Sequence, residues 1–309
     1  GAGWLKQRFE LDTNPRGMKI LRHELPNGAL HTRCFIPSKV SDNRALLKSD
    51  PDYVNRLYLV GSKQLVRAWL EGDWNIVEGA FFDCWGPQHV VAPFEVPDHW
   101  HCYRSFDWGS AAPFSCGFWA VASEDTPRPE GIIPRGALVR FDEWYGASGP
   151  NKGLKLTTEE VAAGIKQRSG GKRFSGCVAD PAIFAEDGGP SRAEIMSRQG
   201  VHFLRADNKR VARNGAMGGW DEMRSRLMGN GERPMIYCFS TCKDSIRTIP
   251  ILPHDDLRPE DINTAAEDHA ADEWRYACMA RPWVASSGAS ARKKPDYQPV
   301  QQERGPAWR

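Results

Sequence analysis

The chain has no apolar run that approaches the roughly 18–20 residues needed to cross a bilayer. Its 309 residues begin with Gly1-Ala2-Gly3-Trp4-Leu5-Lys6, which lacks the basic-then-apolar pattern of a secretory signal. These two absences argue against a membrane protein and against a secreted one. We therefore expect an intracellular protein with no membrane partner.

A phosphate-binding loop of the form G-x-x-x-x-G-K-[S/T] is also missing. In such a loop, backbone amides and the lysine hold the phosphates of a nucleotide. The glycine-rich stretches Gly188-Gly189-Pro190-Ser191 and Gly229-Asn230-Gly231 lack both the lysine and the spacing. No ATPase activity is therefore expected from this chain.

Cysteine is present but unpaired in sequence. Of the eight cysteines only Cys238 and Cys242 lie close together, and no second pair completes the spacing of a structural zinc site. Several occur in apolar stretches such as Phe114-Ser115-Cys116-Gly117-Phe118, where cysteine behaves as a small buried hydrophobic residue. We expect reduced thiols in the core.

The net charge is only +2, so bulk electrostatics do not indicate a nucleic-acid partner. Basic residues nevertheless collect in residues 166–173, 205–213 and 292–294. Each cluster is compatible with ordinary solvated surface. Phosphate contacts need only a local basic groove, so near-neutrality does not exclude DNA.

Three regions differ in composition. Residues 1–97 are polar with helical signals at 52–57 and 63–70, the second ending at Glu71-Gly72-Asp73-Trp74. Residues 98–285 alternate strands with helices. Residues 286–309 are rich in Ser, Pro, Gln and charge, which is typical of a disordered tail.

Between residues 98 and 285 the sequence predicts three strands, followed by alternating helices and strands. The expected strands are 101–108, 114–123, 137–144, 174–180, 201–205 and 235–240. The expected helices are 157–167, 191–198, 220–228 and 265–280, the first two with capping signals at Thr157 and Ser191. This order indicates an α/β domain with a mixed central β-sheet flanked by helices, after a mostly helical segment.

Acidic side chains stand at the ends of predicted elements. Asp107 and Asp180 each end a predicted strand, where α/β sheets form their active sites. Asp268, His269 and Asp272 begin the last helix, at spacings of three and four that share a helix face. Clustered carboxylates repel, and two divalent ions would relieve the repulsion and catalyse phosphodiester hydrolysis. Mg²⁺ and Mn²⁺ prefer such oxygen ligands, and Mn²⁺ accepts imidazole more readily.

Each acid also has a purely structural interpretation. An aspartate after a strand is often a turn residue or helix cap, and Asp180-Pro181 fits a turn. Asp268 could interact with the dipole of the last helix instead of a metal. The three positions taken together favour a metal site.

Several stretches of the sequence form a larger pattern. They are Cys34-Phe35-Ile36-Pro37-Ser38, Asp50-Pro51-Asp52-Tyr53, Arg67-Ala68-Trp69-Leu70-Glu71-Gly72-Asp73-Trp74, Phe106-Asp107-Trp108-Gly109, Ala179-Asp180-Pro181-Ala182, Asp187-Gly188-Gly189-Pro190-Ser191 and Glu267-Asp268-His269-Ala270-Ala271-Asp272-Glu273-Trp274-Arg275-Tyr276. In these stretches the chain resembles the carboxyl-terminal half of phage terminase large subunits, which package DNA into procapsids and cut it. The Gly-Asp-Trp and Asp-His-x-x-Asp patterns are the more specific, and Asp-Pro alone is weak.

The resemblance implies an RNase H-like nuclease domain at residues 98–285, a two-metal-ion endonuclease for double-stranded DNA that uses Mg²⁺ or Mn²⁺. Asp107 and Asp180 match the first two acids of the family. Asp268, His269 and Asp272 all remain candidates for the third ligand position. We favour Asp272 with His269 facing the metals, and Asp268 as an alternate ligand or supporting partner. The expected catalytic set is therefore Asp107, Asp180 and Asp272.

The resemblance also implies an origin and partners. Residues 1–97 would be the end of an ATPase and a linker, so we expect a natural or engineered fragment of a longer protein. Its partners would be double-stranded DNA, the portal or procapsid and the small terminase subunit, in the cytoplasm of a bacterial host. Lys209, Arg210 and Arg213 are candidates to hold the DNA backbone, whereas Arg275 could pair with a site carboxylate.

Two other functions remain open. A transposase or another RNase H-like nuclease would share the fold. A non-catalytic docking module of the packaging motor would use the acids only structurally. Metal-dependent DNA cleavage distinguishes the docking module from a nuclease.

Overall fold

The computed structural model describes residues 8–11, 17–60, 66, 70–72, 80–186, 188–213 and 217–283. The predicted tail at 286–309, most of the predicted helix at 63–70 and the Asp73-Trp74 pair lie outside these residues. Gly72 is described, with a φ of +65°. This left-handed conformation is the one that glycine favours at a helix end.

The amino-terminal region contains a hairpin and two short helices among its described residues. Strand β1 (Ile20–Glu24) pairs antiparallel with β2 (Leu30–Cys34). Helices α1 (Arg44–Ser49) and α2 (Tyr53–Val60) follow. The hairpin adds to the mostly helical segment that the sequence predicts. Both strands are largely exposed on both faces, so no apolar alternation marks them in the sequence.

The carboxyl-terminal region is built on one mixed sheet. Its strands, with two small pairs beside it, are β3 (Val90–Val91), β4 (His101–Asp107), β5 (Ser115–Val121), β6 (Thr126–Arg128), β7 (Gly131–Ile133), β8 (Leu138–Tyr145), β9 (Ala147–Gly149), β10 (Lys152–Gly153), β11 (Val178–Ala179), β12 (Leu204–Arg205) and β13 (Ile236–Phe239). Seven of them form the sheet, in the order β12-β11-β4-β5-β8-β13-β3. β5 is antiparallel to β4 and β8, whereas the outer neighbours run parallel to the strands they flank.

Helices cover both faces of this sheet. They are α3 (Thr158–Ser169), α4 (Arg192–Arg198), α5 (Gly219–Met228), α6 (Lys243–Thr248) and α7 (His269–Ala280). α5 and α7 share one apolar cluster with Tyr103 and Trp119 of the sheet. α3 and α4 share another with Phe106 and Phe118, which point to the opposite face. The predicted α/β class, with a mixed central sheet flanked by helices, is confirmed.

The capping signals at Thr157 and Ser191 correctly predict where α3 and α4 begin. The Thr157 hydroxyl accepts a hydrogen bond from Glu160 N at 3.2 Å, and the Glu160 carboxylate accepts one from Thr157 N at 2.8 Å. Ser191 and Glu194 form the same reciprocal pair. Such boxes satisfy amides that the first helical turn leaves unpaired.

Element lengths differ more from the predictions. The strand expected at 174–180 is only Val178–Ala179, because Gly176 turns the chain with a φ of +67°. The last helix begins at His269, four residues later than expected. Before the helix, the Asn263 side chain accepts a hydrogen bond from Ala265 N at 2.9 Å, which stabilises a turn at the position where the helix was expected to begin. Helix α6 has no counterpart among the predicted elements.

The cysteines are free thiols, and six of the eight are buried, as expected. Cys34 is exposed and Cys84 is half-buried, so core burial does not extend to these two. Within the described ranges, every helix is too short or too polar to cross a bilayer.

A buried ion pair joins α7 to the centre of the sheet. Arg140 Nη2 of β8 lies 2.5 Å from Glu273 Oε2 of α7, and both side chains are almost fully buried. Ser105 of β4 and Trp119 of β5 both donate hydrogen bonds to the other oxygen of Glu273, Trp119 at 2.8 Å. Glu143 pairs with Arg140 on its other side. The carboxylate of one helix residue therefore contacts three adjacent strands.

We expect Glu273→Gln to lower the free energy of unfolding by about 3–5 kcal/mol, because it leaves the buried Arg140 charge with fewer partners. Urea denaturation of the metal-free chain measures this loss. Glu232→Gln, at an exposed glutamate, is the matched control and should change stability little. Equal stability of the two variants would contradict the structural role of the pair.

Candidate metal centre

Asp107 is the last residue of β4 and is 6% exposed. Alternate residues of this strand point to the face covered by α7. Tyr103 donates a hydrogen bond to Ala277 O at 3.1 Å, and Ser105 donates one to Glu273. The strand period of two therefore directs Asp107 toward the start of α7.

Asp180 lies beside Asp107 because β11 runs parallel to β4. Ala179 is in register with Phe106, and Asp180 N donates a hydrogen bond to Phe106 O at 2.8 Å. The two acids thus occupy adjacent positions where neighbouring strands end. Asp180 also accepts a hydrogen bond from Ala182 N at 3.0 Å, so it caps the short helix Pro181–Phe184 as well.

The start of α7 approaches this pair of acids. His269 Nδ1 lies 3.3 Å from Asp107 Oδ2, and His269 Nε2 lies 3.3 Å from the side-chain oxygen of Asn151. Asp268 immediately precedes the helix and is buried. The structure therefore brings Asp107, Asp180 and His269 to one edge of the sheet.

Asp272, one turn into α7, is held by two arginines. Arg275 Nη2 lies 2.7 Å from Asp272 Oδ1, as expected from the sequence, and Arg210 Nη1 lies 3.5 Å from Oδ2. The same Arg210 atom is 4.0 Å from Asp268. Arg210 also donates from Nε to Asp261 at 2.9 Å. These two cations offset part of the negative charge of the cluster.

Burial and mutual repulsion raise the pKa values of the cluster. Burial raises the pKa of Asp107 to about 7, with further contributions from Asp272 and Asp180, although the hydrogen bond from His269 opposes the shift. Burial also raises the pKa of Asp268 to about 6, with Asp272 adding to it. Burial acts to lower the pKa of His269, but the hydrogen bond to Asp107 and nearby carboxylates outweigh it and raise that pKa. Protons thus stabilise a cluster of surplus negative charge.

The donor types fit Mg²⁺ or Mn²⁺, since four carboxylates and one imidazole meet at the site. In the described part of the chain, however, no three such donors are placed to hold an ion as they stand. Two of the candidate donors already have partners within the protein. Asp180 accepts a hydrogen bond from Ala182 N, and Asp272 accepts one from Arg275.

The residues predicted to contact DNA differ in their surroundings. Arg210 is half-buried and pairs with the acids described above. Lys209 is exposed, 3.7 Å from Asp207, and Arg213 is exposed. Their contact with DNA stays a prediction.

Three residues of the site were missed by sequence reasoning. Asn151 contacts His269, Asp261 anchors Arg210 at 2.9 Å, and Glu273 fixes α7. Asn151 and Asp261 lie in loops, where no periodicity indicates which side chain points inward. Glu273 carried a signal, because it follows Asp272 within the Asp-His-x-x-Asp stretch.

No protein-family model matches this sequence, and no curated protein matches it. Solved structures do match. The chain is similar to the large terminase of a thermophilic bacteriophage in complex with ATP-γ-S, with a TM-score of 0.50 and 19% identity over 78% of this chain and 54% of that one. It is similar to the P22 large terminase nuclease domain, with a TM-score of 0.45 and 17% identity over 66% of this chain and 93% of that domain.

The similarity to the thermophilic-phage terminase shows a shared fold. The chain thus has a terminase-like fold. The present chain spans only about half the length of that terminase. The activity and partners of a whole terminase are therefore proposals for this chain.

The raised pKa values predict a pH dependence of stability. Because Asp107, Asp268 and His269 all have raised pKa values, the folded metal-free chain binds more protons than the unfolded chain. The contribution of the two aspartates is present below their unfolded pKa, about 4, and is lost as pH rises through their folded values of about 6 for Asp268 and about 7 for Asp107. The contribution of His269 is present below its unfolded pKa and is lost at higher pH.

In EDTA, we expect Asp107→Asn to remove part of the fall in melting temperature between about pH 5 and pH 8. The difference between wild type and variant isolates Asp107 from the other titrating groups. Asp98→Asn, whose carboxylate is fully exposed, should leave the wild-type profile unchanged. A parallel pH profile for Asp107→Asn and wild type would contradict the assigned pKa shift.

Proposed function

We propose that this chain is a metal-dependent endonuclease that cuts double-stranded DNA during viral genome packaging, as the nuclease part of a terminase large subunit. One observation carries the proposal. Asp107 and Asp180 end adjacent parallel strands, with His269 3.3 Å from Asp107 at the start of α7. The motifs that resemble terminases contain these same residues.

Two divalent ions, Mg²⁺ or Mn²⁺, would bind here. Asp107 and Asp180 would hold one ion, and Asp107 with the group Asp268, His269 and Asp272 would hold the other. When bound, such ions polarise a scissile phosphate and stabilise the charge that develops during phosphodiester hydrolysis. The expected catalytic residues are Asp107, Asp180 and Asp272.

The chain's own residues orient these ligands. His269 must lose a proton before its ring nitrogen can act as a ligand, so its contact with Asn151 would then select the tautomer. Arg275 and Arg210 limit the rotation of Asp272 and offset its charge. Lys209 and Arg213 would contact the DNA backbone. Phosphate contacts carry no sequence information, so we expect largely sequence-independent cutting.

The proposed organisation follows from the same family. Residues 1–97 would be the end of an ATPase region and a linker subdomain, and 98–285 the nuclease domain. The proposed partners are DNA, the portal or procapsid and the small terminase subunit. The proposed location is the cytoplasm of a bacterial host.

We expect the purified chain to nick and linearise supercoiled plasmid in Mn²⁺ or Mg²⁺ but not in EDTA. Asp107→Asn and Asp180→Asn should each lower the rate of cleavage by at least roughly 100-fold, because each removes a ligand of the ions. A time course on agarose gels measures the rates. Asp98→Asn serves as the matched control and should cut at the wild-type rate.

Two outcomes would contradict the proposal. Metal-dependent cutting that persists in both site variants would assign the activity to other residues. A folded chain that binds DNA but does not cut it with either metal would favour the docking module.

The third ligand position gives a separate prediction. We expect Asp272→Asn and His269→Gln each to weaken Mn²⁺ binding by roughly tenfold or more, and Asp268→Asn to weaken it less. Electron paramagnetic resonance of free Mn²⁺ measures these affinities without any cleavage. If Asp268→Asn weakened Mn²⁺ binding more than the other two substitutions, Asp268 would be the direct ligand instead.

A further inference from the structure

A second charged site lies on the opposite face of the sheet from α7. A cavity of about 440 Å³ opens between the end of α3, the loop before β11 and the loop before β12. Its lining includes Arg104, Lys166 and Lys172, and no acidic residue lines it. Because Arg104 alternates with Ser105 along β4, it points away from the metal centre.

Arg104 is a buried cation with no carboxylate partner among the described residues. It is 7% exposed, and no acid of the described ranges lies within ion-pair distance of it. Its hydrogen bonds go to neutral groups, from Nη1 to Ser169 Oγ at 3.2 Å and from Nε to Cys177 Sγ at 3.5 Å. A guanidinium so far removed from water is ordinarily paired with an anion.

Two features partly compensate the Arg104 charge without removing it. The guanidinium carbon lies 4.9 Å from the ring centre of Phe174 and 5.7 Å from that of Phe203. The end of α3 presents the negative end of its dipole nearby. Neither feature supplies a full negative charge. Lys166 adds a second cation, and its ammonium group lies near Gly200, which also lines the cavity.

Lys172 adds a third cation. It donates to Val96 O at 3.0 Å and is 3.5 Å from Asp98, whose side chain is fully exposed. An ion pair with so exposed a partner contributes little. Three cations therefore surround a cavity without a lining acid, next to two aromatic rings.

We propose that this cavity binds a phosphate group carried by a nucleotide or by a DNA strand. Arg104 would supply a charge-assisted, two-pronged contact to phosphate oxygens, and Lys166 and Lys172 would add point charges. The volume exceeds that of a phosphate ion and lies in the range of small-molecule sites. The rings of Phe174 and Phe203 give the organic part of the ligand an apolar wall. The site is separate from the metal centre and does not depend on the proposed nuclease activity.

The test measures binding to the full chain in EDTA, so that no cleavage occurs. Melting temperature is followed against inorganic phosphate, against a deoxynucleoside monophosphate and against a short DNA duplex, with ionic strength held constant by chloride. A ligand of the folded state raises the melting temperature as its concentration rises. We expect inorganic phosphate and at least one of the other two probes to do so for wild type.

The variants locate the binding. Lys166→Gln, at an exposed position, should weaken phosphate binding roughly tenfold, and Arg104→Gln should weaken it roughly 100-fold or more. Lys243→Gln, at an exposed lysine outside the cavity, should bind as wild type does. If Arg104→Gln folds poorly, the Lys166→Gln and Lys172→Gln pair gives the same test.

The outcomes separate the sources of the phosphate and the two proposals. A response to inorganic phosphate and the mononucleotide but not to the duplex identifies a small ligand. A response to the duplex that the Arg104→Gln and Lys166→Gln variants lose identifies the DNA backbone. No response of wild type to any probe, or responses unchanged in Arg104→Gln and Lys166→Gln, would overturn the site. Neither result alters whether the chain cuts plasmid, so failure here is distinct from failure of the nuclease proposal.

Discussion

The buried pair of Arg140 and Glu273 constrains the rest of the domain. A carboxylate removed from water must find all its partners inside the protein, and Glu273 finds them on β4, β5 and β8. Gly117 leaves the space that this carboxylate occupies, because a Cβ at position 117 would lie 2.1 Å from Glu273 Oε1. The register of α7 over the sheet is thereby determined, and with it the approach of His269 to Asp107.

The metal centre is a concentration of negative charge that the protein stabilises by several means. The pKa values of Asp107, Asp268 and His269 are all raised, which favours the neutral acids and the charged imidazole. Arg210 and Arg275 pair with Asp272. All of these supply positive charge or remove negative charge. Divalent cations would do the same more effectively, and their binding would release protons. The surplus negative charge that, after burial, contributes to these pKa shifts would therefore favour metal binding.

Strand β4 links the two charged sites of the domain. Its alternating side chains place Asp107 among carboxylates beneath α7 and Arg104 among cations beneath α3. The negative cluster and the positive cavity thus lie on opposite faces of the same sheet. This separation explains how a chain with a net charge of only +2 holds strong local fields of both signs.

The sequence alone was enough to predict the α/β class and, apart from α6, the order of the helices and of the main-sheet strands from β4 to α7, because periodicity and capping are local properties. Capping at Thr157 and Ser191 was correct for this reason. The motifs also identified Asp107, Asp180 and the start of the last helix as candidates. Only the tertiary structure showed that Asp107 and Asp180 are neighbours and that two arginines hold Asp272. Only it showed that no acid in the described part of the chain pairs with Arg104. These depend on strand pairing and on contacts between residues far apart in the chain, which local patterns do not encode.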